Sequence, residues 1–389
     1  MINLKVYMPR EDSYLLEREV LKHAFGSVLD MGTGSGIQAK AASSSPDVKK
    51  VLAVDVNPHA IQFCRDHLKK KKIKLLQSNL FSKVPKQKFD TIIFNPPYLP
   101  KDKVEDPAVD GGKKGHEILE KFLGQVNDYL SPEGIILIVF SSLTNKDKVN
   151  ELLLNNMLKF ELLSTSHFAF EDLFAYKIEK LPVLKDLNKK KVSDVKYFAH
   201  GKRGVVYTGK YKGKKIAVKT KNPRSQAQNT IENESNMLKI LNRYKIGPKL
   251  YFTGDNYLVY EFIEGKFIKD WFPKAGKPAI KKVLKNVLLQ CHKMDKLQIN
   301  KKEMHHPIKH VLIGRNIVLI DFERAHKTID PKNVTQFCNY IMLNKPILDK
   351  KGIPVDKEKL IDLLKCYKTK HLKLSERDFN KILKELGLI

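Results

Sequence analysis

The sequence predicts an α/β domain built on a mostly parallel sheet of seven strands, followed by a separate α+β domain. Apolar runs of strand length alternate with helical stretches through the first 180 residues, a pattern typical of crossover connections in a parallel sheet. A lysine-rich connector precedes a second half that is rich in glycine turns and antiparallel strand patterns. With 389 residues, the chain is long enough for two domains with separate cores. We expect one domain at 1–180, a linker at 181–191 and a second domain at 192–389, with a sheet-rich lobe at about 192–262 and a reduced lobe at 263–389.

Seven short apolar runs predict the strands of the first domain. In an open α/β sheet the ligand site lies beyond the carboxyl ends of the strands, so the residues that follow these runs are the first candidates for function. The predicted strands are Ser27–Asp30, Val51–Asp55, Ile73–Gln77, Asp90–Phe94, Gly134–Phe140, Phe160–Thr165 and Phe174–Glu179.

The net charge of +29 is unevenly distributed along the chain. Residues 1–180 carry 26 Lys and Arg against 23 Asp and Glu, whereas residues 181–389 carry 46 against 20. A basic field of this size favours polyanions, so RNA or ribosomal particles are candidate partners of the second half. A lysine bias that serves solubility is the alternative, because the lysines are dispersed. The sequence contains no apolar run of membrane-spanning length and no apolar leader at its start, so we expect a cytoplasmic protein.

A glycine-rich turn follows the first strand. Residues 31–36 read Met-Gly-Thr-Gly-Ser-Gly, and glycines at 32, 34 and 36 allow the backbone to turn tightly and to approach a ligand closely. The second strand ends in Asp55, about 20 residues further on, where a carboxylate can accept hydrogen bonds from ribose hydroxyls. A glycine loop alone is weak evidence, since many turns between strands and helices contain glycine.

The fourth strand leads into Asn95-Pro96-Pro97-Tyr98. Asn95 offers an amide oxygen, Pro96 offers a carbonyl without an N–H, and Tyr98 offers a flat apolar face with a hydroxyl. Two carbonyl oxygens at fixed angles can accept both hydrogens of a planar NH2 group and leave its nitrogen directed at an electrophile. A proline turn that simply closes a strand is the alternative interpretation.

Four segments together resemble the class I S-adenosylmethionine-dependent methyltransferases, and within them the HemK-type branch that methylates glutamine in peptide-chain release factors. The resemblance covers roughly residues 4–180. The segments are Tyr7-Met-Pro-Arg-Glu-Asp-Ser13, Asp30-Met-Gly-Thr-Gly-Ser-Gly36, Asn95-Pro-Pro-Tyr-Leu-Pro100 and Asp110-Gly-Gly-Lys-Lys-Gly-His-Glu117.

The resemblance implies a role for each matching residue. S-adenosylmethionine would be bound by a glycine loop, two acidic residues, an adenine contact and a segment that closes over the site. Asn95 and Pro96 would hold the substrate nitrogen, with Pro97 and Tyr98 beside them. No metal is implied. The implied cofactor residues are Glu11, Asp12, Ser13, Asp30, Gly32, Gly34, Gly36, Asp55, Asn79 and Leu80.

Two substrate classes remain open for this motif, because N6-adenine methyltransferases acting on DNA or RNA also carry it. Those enzymes usually have an additional recognition domain or insertion. The nearly neutral charge of residues 1–180 and the lack of an insertion favour the protein amide. The resemblance also implies a small zinc-binding activator subunit as a partner.

The second half resembles the protein-kinase-like superfamily, closest to its small RIO-like atypical members. The resemblance covers about residues 192–330. A glycine hairpin with Gly201 and Gly204 precedes a strand ending in Lys219, and Glu234 on the next helix is its expected ion-pair partner. ATP would bind beneath the hairpin, and Asp321, at the end of a later strand, would bind magnesium.

This second half also departs from the kinase pattern. Aligning backward from Leu312 places His305, instead of an aspartate, at the catalytic position, and Glu303 is the other candidate there. His310 replaces the metal-binding asparagine, and Glu323 replaces the glycine after Asp-Phe. Three readings remain open: a divergent Ser/Thr kinase, an ATPase-like switch, or a nucleotide-binding pseudokinase.

Overall fold

The computed structural model describes residues 6–100, 110–222, 225–369 and 375–389. The chain divides into two compact units, Met1–Lys191 and Val192–Ile389. Among the residues described, no helix is both long enough and apolar enough to cross a membrane.

One seven-stranded sheet forms the centre of the first unit. Its strands are β1 (Gly26–Met31), β2 (Val48–Asp55), β3 (Ile73–Gln77), β4 (Phe89–Phe94), β5 (Leu130–Ser141), β6 (Leu158–His167) and β7 (Asp172–Lys180). They lie in the order β3-β2-β1-β4-β5-β7-β6. The first five are parallel neighbours, whereas β7 runs antiparallel to both β5 and β6. The predicted seven-stranded, mostly parallel sheet is therefore confirmed.

Helices cover both faces of this sheet, because alternate residues of each strand point to opposite sides. In β4, Ile92 belongs to one apolar cluster with helical residues such as Phe122, and Ile93 belongs to the other with residues such as Leu16. The helices are α1 (Glu11–His23), α2 (Ile37–Ser44), α3 (Pro58–His67), α4 (Glu117–Val126), α5 (Lys146–Asn155) and α6 (Pro182–Lys189).

The connector after the last strand differs from the sequence-based expectation. Residues 181–191 were expected to form a polar linker, but most of them form α6. Pro182 occupies the first turn of this helix, where its missing N–H is not needed, and Leu184 and Leu187 are buried three residues apart on one face. The buried face formed by these two leucines explains why this lysine-rich segment is a packed helix and not a linker.

A five-stranded antiparallel sheet opens the second unit. Its strands are β8 (Ser193–His200), β9 (Gly204–Tyr211), β10 (Lys214–Lys221), β11 (Leu250–Gly254) and β12 (Tyr257–Glu261), in the order β11-β12-β10-β9-β8. Helix α7 (Thr230–Leu241) joins β10 to β11 and buries Leu238 and Leu241 in the core of this unit.

The rest of the second unit is mainly helical. Short strands pair as small ribbons: β13 (Gly265–Phe267), β14 (Ile299–Asn300), β15 (Val311–Gly314), β16 (Ile317–Leu319) and β17 (His326–Lys327). The helices are α8 (Ile268–Trp271), α9 (Lys277–Lys296), α10 (Asn333–Leu343), α11 (Lys345–Lys350), α12 (Lys357–Thr369) and α13 (Glu376–Glu385).

Candidate active sites

A cavity of about 560 Å³ lies at the carboxyl ends of β1, β2 and β4 in the first unit. The chain leaves β1 toward β2 on one side, while β4 lies on the other, so the strand order reverses at this point. Such a reversal opens a crevice between the loops and is the usual ligand site of this architecture. The cavity is lined by residues of the glycine loop, of α1, of β2 and its following turn, and of the loop after β4.

The glycine loop forms one wall of the cavity. Gly32, Gly34 and Gly36 have φ values of 67°, 53° and 82°, in the left-handed region that favours glycine. Gly32 and Gly34 line the cavity, and the N–H of Gly34 donates to Asp55 Oδ2 at 2.8 Å. Gly36 faces α3 instead, since a Cβ there would come within 2.3 Å of Leu68.

Asp30 does not line the cavity, although the resemblance implied a cofactor contact for it. Its side chain is buried behind the loop, where Oδ2 accepts hydrogen bonds from Thr33 Oγ1 at 2.6 Å and from the N–H of Ala39 at 3.1 Å. Burial raises the pKa of Asp30 to about 7, although the hydrogen bonds from Thr33 and Ala39 act in the opposite direction. Asp30 therefore fixes the shape of the loop and the start of α2 from behind.

The residues implied for ribose and adenine do line the cavity. Asp55 closes β2, and its carboxylate also accepts from the N–H of Asn57 at 2.8 Å. Burial raises the pKa of Asp55. Asn79 and Leu80 follow β3 and lie on the same wall. Lys121 of α4 also reaches the lining, and no motif in the sequence pointed to it.

Asn95 has a defined orientation at the end of β4. Its Nδ2 donates to Asp12 Oδ2 at 2.9 Å, whereas its Oδ1 is buried and has no hydrogen-bond partner among the described residues. An ionised carboxylate can only accept hydrogen bonds, so Asp12 selects the amide orientation that keeps the oxygen free. The cavity lining therefore includes two residues, Asn95 and Gln38, whose buried amide oxygens have no donor among the described residues.

Asp12 is the centre of a hydrogen-bond network rather than an open cofactor ligand. It is 4% exposed and accepts from the hydroxyls of Tyr7 at 3.0 Å and Tyr98 at 3.4 Å, and from the N–H of Ser13 at 2.6 Å. Burial, with the charge of Asp12 as the next cause, raises the pKa of Tyr98, so this phenol stays a donor. Asp12 and Ser13 line the cavity, but Glu11 is exposed and lies outside its lining.

The glycines of the Asp110 segment support the loop after β4 from below. A Cβ on Gly115 would come within 2.5 Å of the carbonyl oxygen of Tyr98, and one on Gly111 within 2.8 Å of the carbonyl oxygen of Pro97. The N–H of Gly111 donates to the carbonyl of Leu99 at 2.8 Å. This close backbone packing explains why two segments separated in sequence belong to one site.

These features define the class of the first unit. A glycine loop after β1, a carboxylate after β2 and a loop with a free amide oxygen after β4 fit S-adenosylmethionine: the loop suits its methionine end, and Asp55 suits its ribose. Among the residues described, no group of side chains that could bind a metal ion lies at this cavity. The class is that of the S-adenosylmethionine-dependent methyltransferases with a doubly wound sheet.

Comparisons with known proteins agree with this class. The family model described as methyltransferase small domain matches residues 11–168. A putative protein N5-glutamine methyltransferase of Methanocaldococcus jannaschii is 38% identical over 157 residues, which are 38% of this chain and 79% of that protein. A release factor glutamine methyltransferase of Geobacter sulfurreducens is 29% identical over 153 residues, 36% of this chain and 54% of that protein. The chain belongs to this methyltransferase family, and it spans only about half the length of the bacterial relatives.

One of the similar solved structures is that of the E. cuniculi Mtq2-Trm112 complex, which is described as responsible for methylation of the translation termination factor eRF1. It is 23% identical, covers 45% of this chain and 99% of that chain, and has a TM-score of 0.38.

The second unit contains a separate charged cluster. Lys219 of β10 is buried, and its Nζ lies 2.6 Å from Glu234 Oε2, 2.9 Å from Asp321 Oδ1 and 3.3 Å from Glu323 Oε2. Burial opposes the charge of Lys219, but the carboxylates outweigh burial and hold its pKa above the usual value. Burial also opposes ionisation of Asp321, yet Lys219 lowers the pKa of Asp321 to about 2. Lys219 and Asp321 are thus held in their charged forms, whereas burial raises the pKa of Glu234.

The predicted glycine hairpin lies beside this cluster. A Cβ on Gly204 would come within 2.9 Å of Lys219 Cε, and Arg203 Nη1 lies 3.2 Å from Glu323 Oε1. Gly201 closes the hairpin by donating its N–H to the carbonyl of Gly204 at 2.8 Å. Carboxylate oxygens of Glu234, Asp321 and Glu323 lie within 4.8 Å of one another and could hold a divalent cation.

The structure separates the two candidates for the catalytic carboxylate position. Lys301 is fully buried and donates to the backbone carbonyl of Asp321, and it also lies 3.3 Å from Glu303 Oε2. Glu303 is thus linked to the cluster. His305 is exposed, and its Nδ1 faces the carbonyl of Lys302 at 2.8 Å, so it does not join the cluster. His310 Nδ1 lies 3.7 Å from Asp321 Oδ2, and burial lowers the pKa of this histidine.

Proposed function

We propose that the first unit transfers a methyl group from S-adenosylmethionine to the side-chain amide nitrogen of a glutamine in a translation release factor. The single observation that carries this proposal is the buried Oδ1 of Asn95, which lacks a donor and lines the cavity. A primary amide supplies the donor that this oxygen lacks. The names of the relatives support glutamine as the residue and a release factor as its carrier.

The chemistry requires orientation more than activation. The bound cofactor would supply an electrophilic methyl group from its sulfonium and leave as the thioether S-adenosylhomocysteine. The amide nitrogen gains the methyl group and loses one of its two protons to solvent. Asn95 Oδ1 and the carbonyl of Pro96 would accept the two amide hydrogens and direct the nitrogen lone pair along the line of the sulfonium bond. Holding reactants in such geometry lowers the barrier by several kcal/mol without a strong base. The adjacent prolines keep the loop rigid because their φ angles are fixed.

Adenine is the second substrate candidate, because its exocyclic NH2 group is also planar with two hydrogens. The near balance of 26 basic and 23 acidic residues in positions 1–180 gives this unit little attraction for a polyanion, which favours the protein amide. The full chain, incubated with S-adenosylmethionine and either a release factor or DNA and RNA oligonucleotides, discriminates the two by mass spectrometry. We expect one methyl group on a glutamine of the release factor and none in its Gln→Glu variant. Methylated adenine with an unmodified factor would overturn the proposal.

A small zinc-binding activator subunit is part of this proposal. The resemblance supports it, and the assay above should be run with and without such a subunit. If activity and S-adenosylmethionine affinity are identical in both cases, the first unit works without this partner.

For the second unit we propose a nucleotide-binding, protein-kinase-like domain. The observation in its favour is the buried Lys219–Glu234 pair at 2.6 Å beside Asp321, beneath a glycine hairpin. ATP phosphates would be neutralised by Lys219, with magnesium at Asp321. Autophosphorylation that is lost in Lys219→Ala and Asp321→Asn supports a kinase; ATP binding without phosphotransfer supports a pseudokinase.

RNA or ribosome contact is a further part of the proposal for the second half. It is supported by 46 basic against 20 acidic residues at positions 181–389. RNA affinity of the full chain should fall steeply between low and moderate salt, because bound phosphates release counterions. An affinity that stays flat would argue against a phosphate-binding surface.

A further inference from the structure

The turn between β6 and β7 lies at the same end of the sheet as the loop after β4. Strand β6 ends at His167 and β7 begins at Asp172, and the N–H of Phe168 donates to the carbonyl of Glu171 at 2.9 Å, which closes the turn. The register pairs Leu173 of β7 with Ser141, the last residue of β5. The turn 168–171 therefore stands just beyond the carboxyl end of β5.

Two hydrogen bonds connect this turn to Tyr98 through residues 142–144. The N–H of Asp172 donates to Ser142 Oγ at 3.1 Å, and Thr144 Oγ1 donates to the carbonyl of Tyr98 at 3.0 Å. The charge of Glu171 contributes, after burial, Asp12 and Tyr7, to the raised pKa of Tyr98. The turn and the candidate catalytic loop are thus linked through residues 142–144 at the same end of the sheet.

The turn exposes aromatic surface. Phe170 is 93% exposed and Phe168 is 43% exposed. Covering an aromatic side chain is favourable, so these rings at a tight turn leave apolar area available to a partner. Exposed apolar surface beside a ligand cavity marks an interaction site more often than isolated exposure does.

Glu171 adds an unpaired hydrogen-bond acceptor to this surface. Its Oε2 is buried and has no hydrogen-bond partner among the residues described. A carboxylate oxygen removed from water without a donor is unfavourable, and a charged donor satisfies it better than a neutral one. Glu171 Oε2, like Asn95 Oδ1, is therefore a buried acceptor without a donor among the described residues.

We propose that the turn 168–171 is a docking surface for the substrate protein, where Phe168 and Phe170 pack on the chain around the target glutamine and Glu171 accepts from an arginine or lysine beside it. This inference rests on the proposed glutamine methylation and specifies its substrate: a glutamine with a basic neighbour. The occupant is a peptide segment, because the target amide must reach Asn95 while its flanking residues remain at the mouth of the cavity.

The test uses the full chain and matched peptides. Two peptides carry the same target glutamine, one with a flanking arginine and one with an uncharged norleucine in place of the arginine. The test variants are Glu171→Gln and Phe170→Ala. Their matched controls are Glu161→Gln and Leu162→Ala on β6, which remove a carboxylate and an exposed apolar side chain from the same pair of strands. Calorimetric binding of S-adenosylmethionine verifies that each variant is folded.

We expect Glu171→Gln to raise the KM for the arginine peptide by tenfold or more, as for loss of a charge-assisted hydrogen bond, with kcat changed less than twofold. The norleucine peptide should not distinguish this variant from the wild type. Phe170→Ala should raise KM for both peptides. Glu171→Lys should recover activity on a peptide with glutamate in the flanking position.

The outcomes separate the two proposals. If the wild type methylates both peptides and Glu171→Gln leaves both KM values unchanged, the docking surface is refuted and glutamine methylation stands. If the wild type methylates neither peptide nor the intact release factor, with the activator supplied, both proposals are overturned.

Discussion

Replacing Asp12 by Asn tests whether this residue orients Asn95 or binds the cofactor. The substitution keeps the shape of the side chain and removes its charge. An asparagine can donate as well as accept, so it no longer forces Nδ2 of Asn95 toward position 12 at the observed 2.9 Å. The amide of Asn95 can then rotate and present a donor to the substrate amide, which is also a donor.

The size of the effect follows from the hydrogen bond that is weakened. A hydrogen bond to a charged group contributes about 1.5–3 kcal/mol, and about 1.4 kcal/mol corresponds to a tenfold change in rate. We therefore expect kcat of Asp12→Asn to fall about ten- to a hundredfold. The affinity for S-adenosylmethionine should stay within about threefold of the wild type, since five protein donors already occupy the carboxylate.

The assay measures methyl transfer at saturating cofactor and, separately, cofactor binding by calorimetry. Glu17→Gln is the matched control, because it removes a carboxylate from the same helix outside the cavity lining. Melting curves of both variants report whether the fold is intact. If Asp12→Asn keeps kcat at saturation and loses cofactor affinity instead, the orientation argument is wrong and Asp12 is a cofactor ligand.

Three further predictions concern stability, the loop after β4 and the second unit. The pKa of Asp30 is about 7 in the folded chain against 3.8 in the unfolded chain, so its contribution to the free energy of unfolding is full below pH 3.8 and is lost as pH rises through 7. The loss amounts to at most about 1.4 kcal/mol per pKa unit. Melting curves of Asp30→Asn, measured as a function of pH, should lack this decline. Gly115→Ala should lower both the activity and the melting temperature, because the new Cβ would meet the carbonyl of Tyr98. Gly124→Ala, in open space on α4, should instead stabilise the protein by about 0.5–1 kcal/mol. Equal effects of the two substitutions would refute the packing argument. Magnesium-ATP should raise the melting temperature of the wild type but not of Lys219→Ala, as measured by calorimetry; an equal rise in both would exclude Lys219 from nucleotide binding.

Local sequence patterns predicted the elements well, and they also predicted the Lys219–Glu234 ion pair, but they did not predict the side-chain partners in the first unit. Seven apolar runs gave seven strands, because a buried parallel strand requires only a short apolar segment. Asp12 and Asn95 are 83 residues apart, and no periodicity connects them. Asp30 stands next to the glycine loop in sequence, yet its side chain turns toward α2, which only the folded packing determines.

The two candidates for the catalytic position of the second unit have different surroundings, which spacing alone does not predict. Counting backward from Leu312 predicts His305 at this position, with Glu303 as the other candidate, and a 3-10 turn at Pro307–Lys309 lies between them and Leu312. Glu303 is linked through Lys301 to Asp321, whereas His305 is exposed and its Nδ1 faces the carbonyl of Lys302. The contact between Lys301 and Asp321 joins residues that are 20 positions apart, so it depends on the folded packing.

If the second unit binds a nucleotide as proposed, its charged cluster favours one form of that nucleotide. Four acidic side chains (Glu234, Glu303, Asp321 and Glu323) outnumber three basic ones (Lys219, Lys301 and Arg203) in this cluster. A nucleoside triphosphate brings about four more negative charges, and like charges that lie about 5 Å apart repel by several kcal/mol at an effective dielectric of about 20. We therefore expect its salt with a divalent cation to bind in preference to the free anion, so that nucleotide binding depends on the cation concentration as much as on the nucleotide concentration.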